Sequence, residues 1–87
     1  MQTNQSIRVR KKDGSVEDWN YEKAVSSMVN AGIPLNIAEN VLIFLEAWAR
    51  VHNENGIVNT SDIHLRVVEL LKNIDESASS RYDSFKK

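Results

Sequence analysis

The 87-residue chain contains no cysteine, a single proline and only three glycines. Without cysteine there are no disulfides and no thiolate zinc sites, and a reducing cytoplasm is the expected compartment. No apolar run nears the roughly 20 residues that a membrane helix needs. The opening MQTNQS also lacks the apolar stretch of a signal peptide. Neither sign of charge dominates: 11 lysines and arginines stand against 12 aspartates and glutamates, for a formal net charge of −1. A duplex-binding domain is usually basic over a whole face, so direct nucleic-acid binding is disfavoured. A Gly-rich phosphate loop, a Ser in a nucleophile motif and paired histidine ligands are all missing, and His52 and His64 stand well apart. A self-contained enzyme is not expected.

What is present suits one small domain over residues 1–87, with 41% hydrophobic residues to fill a modest core. SIRVR at 6–10 alternates apolar and cationic side chains, KDGS supplies an Asp-Gly turn, and VEDW alternates again. That pattern predicts a β-hairpin over 6–19. Asn20 is a good N-cap for a helix over about 21–31, with Ala24, Val25, Met28 and Val29 as its apolar stripe. Gly32 then sits where a helix C-cap belongs, and Pro34 prevents continuation. NIAE at 36–39 reads as a capping-box variant that opens a second helix to about Asn53. That helix is apolar on most sides, so it is most simply central in a bundle, or else covered by another chain. HNENG at 52–56 reads as a loop, and IVNTSDIH leads into a third helix capped by Asn59 or Thr60. Its stripe is Ile63, Val67, Leu70, Leu71 and Ile74, and a shorter helix over about 76–86 offers Ala78, Tyr82 and Phe85. The expected fold is α+β and mainly helical: an N-terminal β-hairpin lid on a helical bundle of about four helices, spanning 20–87.

The polar residues form the more telling pattern. Arg8, Arg10, Lys11 and Lys12 crowd four cations into five positions, and Glu17, Asp18 and Asn20 follow closely. Lys23 lies one turn inside the first helix, and Thr60 and His64 share a face of the third. Cations and helix-terminal N–H groups take phosphates. A carboxylate or an amide oxygen accepts from an exocyclic amine such as that of adenine.

In this order and spacing, VRKKDGSVEDWNYEK, then NAG, NTSDIH and SSRYDSF, the chain resembles the ATP-cone domain over about residues 7–85. That family stands at the N-termini of class I and class III ribonucleotide reductases, and beside a zinc ribbon in a bacterial repressor of their genes. The resemblance implies allosteric binding of ATP or dATP, with magnesium on the phosphates, signalled through quaternary structure or a partner. Carried over by position, Lys11 and Lys12 match the phosphate-contacting pair. Lys12 stands where the family usually has Arg, which keeps charge but loses bidentate geometry. Glu17 and Asn20 match the adenine edge, Lys23 and Thr60 a further cation and a helix-terminal hydroxyl, and His64 a group near sugar and phosphate. Val9 completes the nucleotide-binding set. A further phosphate-contacting Lys of some members has no counterpart unless Lys86 or Lys87 substitutes. The companion catalytic domains and zinc ribbon are not in this chain, which implies an excised or a stand-alone cone.

Plainer roles compete for the same residues. Asn20 and Thr60 cap helices with or without a ligand. Glu17 has cationic neighbours across the hairpin, a pairing worth roughly 0.2–1 kcal/mol. Lys11 and Lys12 are ordinary solvated hairpin residues, His64 a half-buried helix residue, and Trp19 and Trp48 core. His52 is explained by a helix C-terminus. Two other functions compete with the regulatory module: nucleic-acid binding by the basic strand, and a degenerate cone that is only a protein-interaction domain.

Overall fold

The computed structural model describes residues 7–86. Ser6 of the expected hairpin, the side chain of Lys86 and all of Lys87 lie outside the described residues. The architecture is α+β and mainly helical: β1 (Arg8–Arg10), β2 (Val16–Asp18), α1 (Tyr21–Asn30), α2 (Leu35–His52), β3 (Ile57–Asn59), α3 (Thr60–Ile74) and α4 (Glu76–Lys86).

The hairpin forms where the alternation places it, with Val9 opposite Glu17 and Arg8 opposite Asp18. Its loop runs over residues 12–14. Lys11 N–H donates to the Ser15 carbonyl at 2.8 Å, and Gly14 N–H donates to the Lys11 carbonyl at 2.9 Å. Gly14 takes the left-handed backbone (φ 91°) that a three-residue hairpin loop requires. Asp13 accepts from both the N–H and the hydroxyl of Ser15, and these bonds hold its carboxyl below the usual range.

The hairpin does not stand alone. β3 adds to β1 in parallel, giving the order β2-β1-β3, with Val9 beside Val58 at the centre and both buried. The segment read as a mere lead-in to the third helix is therefore a strand. Asn53 prepares it: its amide donates to the Ala49 and Arg50 carbonyls, closing α2, while its Oδ1 accepts from Gly56 N–H. The chain turns there through Asn55 and Gly56, both at positive φ.

The caps divide between expectation and correction. Asn20 caps α1, its Oδ1 accepting from Lys23 N–H at 3.0 Å. At the other end, Gly32 N–H donates to the Val29 carbonyl and Ile33 N–H to the Met28 carbonyl. Gly32 sits at φ 93° in this Schellman-type stop, and Ile33 and Met28 are buried together. A Cβ at Gly32 would stand 3.2 Å from Nε of Arg81. We expect Gly32→Ala to destabilise the fold by about 1–2 kcal/mol, since L side chains are strained there. Chemical denaturation checks this, and an unchanged midpoint would contradict it.

The capping box at Asn36 and Glu39 does not form. Pro34 occupies the N-cap position and its carbonyl accepts from Ala38 N–H, so α2 starts at Leu35 and Asn36 lies inside its first turn. Pro34, at φ −57° and ψ 144°, holds the extended backbone of an N-cap, so the helix begins directly after it and before Asn36. Asn59 is the N-cap of α3, yet neither it nor Thr60 caps through a side chain: Asn59 Oδ1 instead faces Nη1 of Arg10 across the sheet at 3.5 Å.

The core gathers Met28, Ile33, Ala38, Val41, Leu42, Leu45, Val67, Leu71, Ala78 and Tyr82. α4 docks on α3, where the buried Ser79 hydroxyl donates to the Val68 carbonyl at 2.9 Å. The α2 helix is not central. One face is buried and the opposite one exposes Ile43, Phe44 and Val51. Ile74 and Phe85, assigned to apolar stripes, are also about half exposed. None of the described helices is long and apolar enough to cross a membrane.

Candidate functional site

β3 does more than widen the sheet. It delivers the first turn of α3 to the end of β1, beside β2 and α1, and a cleft of about 320 Å³ lies where these elements meet. Its floor is apolar, formed by Val9, Met28, Leu42, Leu45, Ile63 and Val67. Its rim is polar, with Glu17, Asp18, Asn20, Lys23, Ser27, Thr60 and His64. Val9, Glu17, Asn20, Lys23, Thr60 and His64 of the expected set thus share one cavity.

Lys11 and Lys12 do not line it. Lys11 reaches its edge through an ion pair, Nζ to Glu17 Oε1 at 3.4 Å, while Lys23 Nζ lies 3.8 Å from Oε2 of the same carboxylate. Glu17 therefore gathers two lysines from different elements, the cross-hairpin pairing extended to α1. Both lysines remain substantially exposed, so these pairs contribute little to stability. Lys12 sits exposed in the hairpin loop.

Asn20 spends its oxygen on the helix cap, so its amide hydrogens are what it offers to the cleft. At the opposite wall, His64 Nε2 lies 2.9 Å from Asp83 Oδ1, and its ring stacks on Tyr82 at 5.4 Å between centroids. His64 is thus tied to α4 as well as facing the cleft. Burial pushes the Tyr82 phenol up to about 12. Arg8 lies 3.9 Å from Asp18, on the other side of the sheet from Glu17. Among the described residues, no group of three or more His, Cys, Asp or Glu could hold a metal.

Beyond the apolar floor, the cleft residues outside the expected set are Asp18, Trp19, Ser27 and Tyr82. Trp19 is half-buried at the cleft wall and donates its indole N–H to Glu46 Oε2 of α2 at 2.7 Å. Tyr82 comes from α4, far along the chain. Ser27 was findable, because it continues the face carrying Asn20 and Lys23 by one further turn. Compared with models of known protein families and with curated proteins, the sequence matches none.

Proposed function

We propose that this chain is a regulatory module of the ATP-cone type, binding ATP or dATP without transforming it and passing its state to a partner or a second copy. The carrying observation is the meeting of Glu17, Asn20, Lys23, Thr60 and His64 around one apolar-floored cleft. About 320 Å³ lies at the lower end of small-molecule sites, which run from about 300 Å³. That space suits a base and sugar inside, with the phosphates at the rim.

The rim supplies what phosphates need. Lys11 and Lys23 bring charge from two elements, and α3 opens without a side-chain cap, leaving its first N–H groups for an anion. Magnesium would be held by phosphates and water. At the base, Glu17 accepts and the Asn20 amide donates. That pair matches adenine's amine and adjacent ring nitrogen, and opposes guanine's carbonyl and ring N–H. The His64–Asp83 contact gives the cleft a link to α4, so a ligand that engages His64 differently in two states could bias α4. Direct nucleic-acid binding by the basic strand loses support, since Arg8 faces Asp18 and Arg10 faces Asn59.

Calorimetric titration with ATP, dATP and GTP in magnesium tests this. Leaving a buried acceptor unpaired costs about 1–3 kcal/mol, so ATP should bind roughly tenfold to a hundredfold tighter than GTP. Glu17→Gln, which adds a donor, should narrow that gap. Equal binding of ATP and GTP would restrict the cleft to reading phosphate, and binding of neither overturns the proposal.

A further inference from the structure

We propose that the outer face of α2 pairs with the same face of a second copy of this chain, the two helices running antiparallel. The face is defined by Phe44, Ala47 and Val51 at helical spacings of three and four, with Ile43 at its border. Ile43, Phe44 and Val51 are 59%, 60% and 76% exposed, and Ala47 is exposed as well. Ala38, Val41, Leu42, Leu45 and Ala49 of the same helix are buried on the other side. An apolar stripe of this length on a small domain marks a contact surface.

Charge decides the occupant and its direction. Glu39 and Arg50 flank the stripe on one edge, near opposite ends of the helix, and both are exposed. Neither makes an ion pair among the described residues. In an antiparallel pair centred between Phe44 and Ala47, each Glu39 meets the Arg50 of the other copy, and each Phe44 meets an Ala47. A parallel pair would put the two Glu39 side chains on opposite sides of the seam, and the two Arg50 side chains likewise, leaving all four charges unpaired. Glu46, mid-edge, is held toward its own domain by the Trp19 indole, which keeps two like charges from meeting at the axis. The arrangement is self-complementary, as a twofold interface must be.

A single helix face belongs to the weak class of interfaces, below about 1,200 Å² in total, so a dissociation constant on the order of 10–100 µM is expected. Sedimentation equilibrium of the full chain without nucleotide measures it independently of the cleft. Phe44→Ser and Ala47→Glu should each weaken the dimer at least roughly tenfold, with helicity by circular dichroism unchanged. Glu39→Arg and Arg50→Glu should each weaken it, and their combination should restore it. A wild type that stays monomeric leaves the face to a different protein and overturns the proposal. So does a dimer that survives both Phe44→Ser and Ala47→Glu. Failure of the charge swap to restore association overturns the antiparallel pairing.

Discussion

Replacing Lys11 and Lys23 together with alanine should cut ATP affinity on the order of a hundredfold or more while leaving the fold intact. A charge-assisted contact to phosphate is worth about 1.5–3 kcal/mol, and two are lost. The two effects will not simply add, because both lysines hold the same carboxylate. Removing them strips Glu17 of its partners and leaves a bare negative charge at the base edge of the cleft, from where it still repels an incoming triphosphate. The triple variant that also carries Glu17→Gln should therefore recover part of the loss, which separates repulsion from missing attraction. Stability should move by less than about 0.5 kcal/mol, since both side chains are exposed and the Asn20 cap uses only the Lys23 backbone. Rising salt should weaken wild-type binding more than that of the double variant. Affinity within threefold of wild type in the double variant would place the phosphates elsewhere.

Local signals were legible and non-local ones were not. The alternation of Ile7 to Arg10 and the Asp-Gly turn announce the hairpin, and Asn20 and Gly32 announce the ends of α1, because each acts within a few residues. β3 was missed for a physical reason. Three residues are too few to show a period of two, and its partner β1 lies 49 positions away, as Arg10 and Asn59 count it. The same limit hid the outward apolar face of α2. An all-round apolar helix reads as central, and only the packing reveals that Val41 and Leu45 turn inward while Phe44 does not. The rim residues were readable as polar groups at caps and first turns. Their convergence was not, because it depends on β3 carrying Thr60 and His64 to the hairpin. Trp19 is the clearest case: its bulk says core, yet its place between the cleft and Glu46 follows from tertiary structure alone.

Leu42→Ala should lower stability by about 2–5 kcal/mol, the range for a leucine truncated inside a close-packed core. Leu42 is 1% exposed, sits in the main cluster and also forms part of the cleft floor. Against a total of about 5–15 kcal/mol for a domain, that loss should lower Tm by roughly ten degrees or more. Leu71→Ala provides the comparison: Leu71 is 0% exposed in the same cluster but does not line the cleft. Both variants should unfold early, and only Leu42→Ala should also bind ATP more weakly, because only it opens the surface under the base. Ligand rescue then tests where the nucleotide sits. A ligand that binds only the folded state stabilises by about 2.7 kcal/mol at a hundred times its dissociation constant. ATP at that multiple of each protein's own dissociation constant should raise the denaturation midpoint of Leu71→Ala as much as that of wild type. Leu42→Ala should need a higher absolute concentration for the same gain. If ATP protects neither variant, it does not bind the folded chain. If it protects both at one concentration, the base does not rest on Leu42.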